Sequence, residues 1–256
     1  MSNLIAKAEQ FHALHVPGRP LVLFNAWDAG SAKAVAAGGA SAIATGSWSV
    51  AAANGYADGE KMPFDFALAN LARIVGAVDL PVTIDLESGY GKLPDEVAAT
   101  ALRAIQAGAI GCNLEDSYPD DGSLRPTEEM AHRIGAVRAL AAGLELPFFI
   151  NARTDIFLRS APQTHTPAML DEAIARSHFY ARAGASGFFV PGLATPALIA
   201  QLVDESPLPL NIMVTDSTPT LQQMAELGVA RVSHGPRPYL QMMKALEQAA
   251  RAALQN

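Results

Sequence analysis

Apolar and polar positions along this chain alternate between two periods. Over residues 4–15 the apolar side chains fall at 4, 5, 8, 11 and 14, the spacing of one helical face, and Pro17-Gly18 stops the run. A short apolar strand follows over 21–26, then a small-residue helix over 29–37 and a second strand over 41–45. The same rhythm continues. Helices are predicted over 64–78, 95–107, 128–141, 170–183, 197–203 and 220–227, each leading into a strand, over 82–87, 110–115, 148–153, 187–190, 210–214 and 230–233. A last helix covers 239–254. Four helix-to-strand joints share one form: Ala37-Gly38-Gly39-Ala40, Ala107-Gly108-Ala109, Ala183-Gly184-Ala185 and Leu227-Gly228-Val229. Glycine ends a helix there because it adopts the left-handed cap without Cβ strain.

Eight strands alternating with helices, with no linker between them, predict an α/β fold, a (β/α)8 barrel formed as one domain over 1–256. An open doubly wound sheet is disfavoured, since no G-x-G-x-x-G follows the first strand. The helix ahead of the first strand is extra and can plug the N-terminal mouth of the barrel.

Composition narrows the class. Of 256 residues, 50% are apolar and 17% charged, enough for a full core and without a disorder signature. The net charge of −7 argues against nucleic acid or an anionic membrane as partner. Cys112 is the single cysteine, so a disulfide within the chain and a multi-cysteine zinc site are excluded. Residues 1–10 lack the apolar core of a signal peptide, and no run of about 18 apolar residues could span a membrane. A cytoplasmic enzyme of small metabolites is the expectation.

Polar residues gather where the strands run out, the functional end of such a barrel. Asn25 and Asp28 close the first strand, and Ser47 and Trp48 follow the second. Asp85 and Glu87 end the third, Asn113, Glu115 and Asp116 the fourth, and Asn151, Arg153 and Asp155 the fifth. Asn211 lies in the seventh, and Ser233-His234 ends the eighth. Asp85 and Glu87, two apart, are expected on one face of the strand, where like charges repel unless paired or bound to a cation. They read either as a hard-oxygen site for Mg²⁺ or as solvated carboxylates. Arg153 is either an ion-pair partner of Asp155 or Glu115 or a bidentate fork for a substrate carboxylate. The four asparagines read as bridges or as ligand contacts, Trp48 as a wall, and Cys112 as a buried small hydrophobe. His234 reads more readily as structural than as an acid/base, and Asp58 as a turn residue. Lysines occur at 7, 33, 61, 92 and 244, outside every predicted strand, which disfavours Schiff-base chemistry. A metal with an arginine suits the enolate of a 2-oxo acid.

The motifs Asn25-Ala26-Trp27-Asp28, Gly55-Tyr56-Ala57-Asp58-Gly59, Asp85-Leu86-Glu87-Ser88-Gly89-Tyr90-Gly91, Asn113-Leu114-Glu115-Asp116 and Ile150-Asn151-Ala152-Arg153-Thr154-Asp155 occur in order. In them the chain resembles the isocitrate lyase/phosphoenolpyruvate mutase superfamily along nearly its whole length. The resemblance implies a barrel whose C-terminal helix swaps between subunits of a homo-oligomer, a tetramer or dimer. It implies Mg²⁺, with Mn²⁺ as an alternative, at Asp85, with Glu87 and Glu115 acting directly or through water. It further implies that Arg153 binds a substrate carboxylate, that Ser47 and Trp48 line the 2-oxo acid site, and that Asp58 lies beside the reacting centre. Asn113, Asn211 and His234 complete the expected substrate contacts. Two departures stand out. Glu87 occupies a position where many members carry aspartate. The loop over 117–126 lacks the Lys-x-Cys-Gly-His segment of the true lyases and the recognisable lid of the mutases, though its length and Gly122 suit a lid. The expected activity is C–C cleavage in a small 2-oxo or 2-hydroxy carboxylic acid, as in an oxaloacetate decarboxylase or lyase. Phosphoenolpyruvate mutase or phosphonopyruvate hydrolase chemistry is the rival, and a non-catalytic 2-oxo acid-binding protein the alternative of another class.

Overall fold

The computed structural model describes residues 2–255, so Met1 and Asn256 of the predicted domain lie outside the described residues. Eight parallel strands form one sheet: β1 Leu21–Leu23, β2 Ile43–Ala44, β3 Val82–Asp85, β4 Gly111–Glu115, β5 Phe149–Arg153, β6 Gly187–Phe189, β7 Leu210–Met213 and β8 Arg231–Ser233. The order β1-β8-β7-β6-β5-β4-β3-β2 runs round a ring. Its two ends meet at a parallel bridge between Ala26 and Thr45, where the Ala26 N–H donates to the Ala44 carbonyl at 2.9 Å. The fold is therefore the expected (β/α)8 barrel.

The helices are α1 Ser2–Ala13, α2 Ala29–Ala37, α3 Ser47–Ala53, α4 Phe64–Ala77, α5 Pro94–Gln106, α6 Thr127–Gly143, α7 Pro167–Arg182, α8 Pro196–Glu205, α9 Leu221–Glu226 and α10 Arg237–Leu254. Helix α1 is the expected plug. Phe11 is fully buried edge-on against Phe149, and His15 stacks on the same ring at 4.0 Å. At the end of α5, Gly108 takes φ +101°, and a Cβ there would strike Val75 at 2.6 Å, so only glycine serves at this joint.

One expectation, the strand placement of Glu87, is corrected, and two stretches show structure that the pattern did not predict. The stretch after β2 forms a further helix: Ser47 and Trp48 open α3. Strand β3 ends at Asp85, and Glu87 has turned into the left-handed region at φ +51°. Strand alternation therefore does not set the direction of Glu87; the turn at Leu86–Gly89 does. The 117–126 loop has internal structure. It folds on itself through a Ser117–Leu124 bridge and a Tyr118 N–H to Ser123 carbonyl bond of 2.8 Å, and Arg125 lies over the Tyr118 ring while pairing with Glu129 at 2.6 Å.

Helix α10 packs on its own barrel only at its start. Tyr239 sits edge-on to Trp27 and Trp48, and every described residue from Leu240 onward is exposed. Among the described residues, no helix is long and apolar enough to cross a membrane.

Candidate active site

A cavity of about 220 Å³ opens at the C-terminal end of the strands, lined on one side by Ser47, Trp48, Asp58, Asp85, Asn113 and Arg153. These six were expected at the site, and the structure brings them together. Asp85 ends β3; its Oδ2 accepts from the Ser47 N–H at 3.2 Å and from the Ser47 hydroxyl at 2.9 Å. The first turn of α3 thus presents its free N–H groups to an acid, as a helix N-terminus does. Arg153 ends β5. Its Nη1 pairs with Glu115 at 2.8 Å, and its Nε and Nη2 reach Asp155 at 2.6 and 3.0 Å. Burial works against its charge, but Glu115, Asp155 and Asp85 outweigh it and hold the guanidinium protonated. Both readings of Arg153 coexist: it is an ion-pair partner and it faces the cavity.

Glu87 and Glu115 stand behind the cavity wall. The Glu87 carboxylate accepts from the Glu60 N–H at 2.6 Å and from the Tyr90 hydroxyl. Burial pushes its pKa up to about 7, with the Asp85 charge adding and the two hydrogen bonds opposing. Burial also raises Glu115 well above the usual carboxylate range, against the pull of Arg153. Asp58 is raised by desolvation and by the charge of Asp85, with Arg153 and Ser47 acting the other way.

The expected metal set of Asp85, Glu87 and Glu115 does not close in this arrangement. Among the described residues, no three His, Cys, Asp or Glu side chains converge tightly enough to hold an ion. Each carboxylate is turned to a protein donor: Ser47 for Asp85, Glu60 and Tyr90 for Glu87, Arg153 for Glu115. The chemistry of the group nevertheless fits a hard divalent cation. The donors are all carboxylate oxygens, and Asp85 raises the pKa of Asp58, Glu87 and Glu115, a repulsion that a cation relieves.

Two expected contacts are corrected. Asn211 lies inside the barrel, two residues below the cavity on β7, where its Oδ1 accepts from the Ser233 hydroxyl at 3.1 Å. His234 turns its ring onto Phe24, with centroids 4.9 Å apart, and does not line the cavity. Burial and the neighbouring Arg237 lower its pKa. Asn25 is a bridge: its Nδ2 donates to the Thr45 carbonyl and its Oδ1 accepts from the His234 and Gly235 N–H groups, tying β1, β2 and β8 together. Cys112 is a buried hydrophobe, its thiol pushed up to about 12 by burial.

The sequence reading missed the residues that hold the acidic loop. Glu60 takes the Ser88 hydroxyl and the Tyr90 N–H at 2.7 and 2.8 Å, clipping the Asp58 loop to the loop after β3. Glu60, Glu87 and Tyr90 all adopt positive φ, a strain that concentrates at functional sites. Buried Arg133 of α6 donates to the carbonyls of Ser88, Gly91 and Lys92. Arg231 lies inside the barrel below Asn113, to whose Oδ1 its Nη2 donates at 3.3 Å. No one-dimensional pattern marks these residues, because each acts across more than 25 positions of sequence.

A parallel barrel with an acid-rich mouth anchored by one arginine is the scaffold of an enzyme. The chain belongs to the phosphoenolpyruvate phosphomutase family, whose model matches residues 11–254. It thereby falls in the isocitrate lyase/phosphoenolpyruvate mutase superfamily, which holds both lyases and a mutase. A provisionally assigned phosphonomutase from Burkholderia cenocepacia J2315 superposes with a TM-score of 0.95 at 55% identity, covering 98% of this chain and 99% of that one. The uncharacterized protein MT2054 of Mycobacterium tuberculosis (strain CDC 1551 / Oshkosh) is 35% identical over 94% of this chain and 88% of its own. The oxaloacetate decarboxylase of Ectopseudomonas mendocina (strain ymp) is 32% identical over 71% of this chain, which spans 63% of that enzyme's length.

Proposed function

We propose that this protein is a Mg²⁺-dependent lyase that cleaves a C–C bond in a small 2-oxo or 2-hydroxy carboxylic acid through an enolate. The observation that carries this reading is the pairing of the Asp85/Arg153 mouth with a β4 loop unsuited to phosphoryl groups. That loop has no lysine or histidine, and its one arginine, Arg125, is turned away onto Tyr118 and Glu129. The resemblance to an oxaloacetate decarboxylase supports the same side.

Mg²⁺ (or Mn²⁺) would be held by Asp85, with Glu87 and Glu115 behind it, and would supply positive charge for the 2-oxo oxygen. Arg153 binds the substrate carboxylate with the N–H groups left free by Glu115 and Asp155. The Ser47 N–H and hydroxyl fix Asp85 in place. Asn113 and Trp48 close the sides of the cavity. Asp58, whose pKa is raised by burial and by the charge of Asp85, exchanges a proton with the substrate C3 carbon.

The rival is P–C bond chemistry, favoured by the likeness to a provisionally assigned phosphonomutase. A turnover screen of oxaloacetate, methylisocitrate and phosphonopyruvate, with Mg²⁺ and then with EDTA, separates them. Mg²⁺-dependent pyruvate with an unchanged ³¹P spectrum is the expected result. A new phosphorus species would replace this reading with the rival. Tight binding of a 2-oxo acid without any product would make the protein a sensor.

The same reading includes a homo-oligomer joined through α10. Leu240, Met243 and Leu246 form one exposed apolar stripe on that helix, Leu246 being 62% exposed. On the barrel flank beside β1 and α2, a groove of about 1020 Å³ is lined by apolar residues including Leu14, Val22, Phe24 and Val35. A second copy's α10 is the occupant that fits it.

A further inference from the structure

Asn113 lines the cavity, and the direction of its carboxamide is decided inside the barrel. On the sheet it stands between Asp85 of β3 and Asn151 of β5. Its Oδ1 accepts from Asn151 Nδ2 at 2.9 Å and from Arg231 Nη2 at 3.3 Å. Taken alone, the two asparagines have two equivalent arrangements. Asn151 Oδ1 is buried without a partner, so with both amides turned over it would accept from Asn113 Nδ2 just as Asn151 Nδ2 now donates. The guanidinium removes that choice. It carries donors only, so the Asn113 atom that faces it must be the oxygen. Asn113 Nδ2 is left on the other branch of the amide. Among the described residues it has no partner, and unlike Asn151 Oδ1 it is not sealed from the cavity. Arg231 gains little in return: it is buried, and its Nε and Nη1 meet no acceptor. A buried charge whose one hydrogen bond goes to a cavity residue is the pattern of stability given up for a site.

We infer that Arg231 is a positioning residue that turns the Asn113 carboxamide so that Nδ2 donates to the 2-oxo oxygen of the substrate as that oxygen becomes negative. The inference deepens the enolate reading proposed above and rests on it. In that step C3 gives a proton to Asp58, the C–H electron pair becomes the C2–C3 double bond, and the π pair of the C2 carbonyl moves onto its oxygen. Protonation at C3 reverses it, and no oxidant or further reactant enters. A donor aimed at that oxygen beforehand favours the enolate over the ketone, because nothing has to reorient as the charge develops. A turned-over amide would set its own carbonyl oxygen there, beside Asp85, and repel the same charge. Through the shared Asn113 oxygen, the guanidinium also polarises the amide and strengthens its N–H donors.

The test is solvent deuterium exchange at C3 of pyruvate, followed by NMR with Mg²⁺ present, because exchange needs only the enolate. Calorimetric binding of pyruvate and of oxalate, a planar dianion with the charge pattern of the enolate, is the second readout. Asn113→Leu should lower kcat for exchange about 100-fold with KM within about threefold, the signature of a donor that acts as charge develops. It should weaken oxalate at least about tenfold and pyruvate less than about threefold. Arg231→Met, which removes a buried charge without opening a cavity, should lower kcat about tenfold and weaken oxalate in the same sense. Added to Asn113→Leu, it should change kcat by no more than about twofold, since the two residues act through one amide. Exchange and oxalate binding unaltered in Arg231→Met would overturn the inference. So would fully additive losses, which would assign the influence of Arg231 to the charge of Asp85 instead of to the amide. Absence of exchange into pyruvate by the unaltered protein would instead overturn the enolate reading on which the inference stands.

Discussion

Arg231 offers the sharpest test of the barrel's energetics. It projects from β8 into the interior, 1% exposed, and its Nε and Nη1 meet no protein acceptor. Its one hydrogen bond, Nη2 to Asn113 Oδ1, is long at 3.3 Å. Burial pushes its pKa from 12.5 down to about 9, with Asp85 and Cys112 opposing. That depression corresponds to about 5 kcal/mol against the charged form in the fold, at about 1.4 kcal/mol per pH unit. The sign follows from the base being harder to protonate when folded. The penalty is full below pH 9 and fades only as pH rises from 9 toward 12.5, so all of it is present at pH 7. Methionine has similar reach and no charge. Arg231→Met should recover most of the penalty less about 1 kcal/mol for the Asn113 bond, a net stabilisation of about 2–4 kcal/mol. Equilibrium urea unfolding at pH 7 should show a higher midpoint with an unchanged slope. A loss of about 1 kcal/mol or more would refute the reasoning, because the guanidinium would then be a net contributor to the core.

Further expectations rest on other parts of the molecule. Burial, with Arg231 adding, pushes the His15 pKa from 6.5 to about 3, so the folded ring stays neutral while the unfolded chain takes up a proton. Stability should fall as pH drops from 6.5 through 3, by up to about 5 kcal/mol, and His15→Phe should flatten that limb; an unaltered slope between pH 6 and 4 would count against it. Buried Asp116 accepts from Arg176 Nη1 at 3.0 Å, the Tyr180 hydroxyl at 2.9 Å and the Asp155 N–H at 3.0 Å. Asp116→Asn should cost about 3–5 kcal/mol in chemical denaturation, and a cost below about 1 kcal/mol would show that Arg176 finds another partner. Leu246→Glu should reduce the particle mass in light scattering, since it places a charge in the stripe proposed to join subunits; an unchanged mass would argue for a different interface. Asp85→Asn should abolish Mn²⁺ binding measured by calorimetry while leaving the unfolding free energy within about 1 kcal/mol.

The fold was legible because its signals are local and repeated. Apolar spacing set the helices, and glycine marked joints such as Gly108 and Gly184, where positive φ is required. Polar residues at strand ends located the cavity, since parallel strands all deliver their C-terminal ends to one side. Legibility stopped at short range corrections. Helix α3 was invisible because its seven residues, Ser47 to Ala53, are too few to show a period. The placement of Glu87 was misread because a single positive φ breaks strand alternation. His234 and Asn211 were placed in the site by chain position, whereas side-chain direction put one against Phe24 and the other on Ser233.

The sequence by itself determined an eight-fold alternation, an acidic mouth and membership of a superfamily, because strand and helix periods and ordered motifs are written along one dimension. Only the tertiary structure decided which partner each charge takes. Arg153 is claimed by Glu115 and Asp155, Glu87 by Tyr90 and Glu60, and the carbonyls of the acidic loop by Arg133. These pairings join residues up to 45 positions apart, and they follow from desolvation. Once the barrel closes, a buried charge is stable only beside whatever donor or acceptor the packing happens to bring within reach.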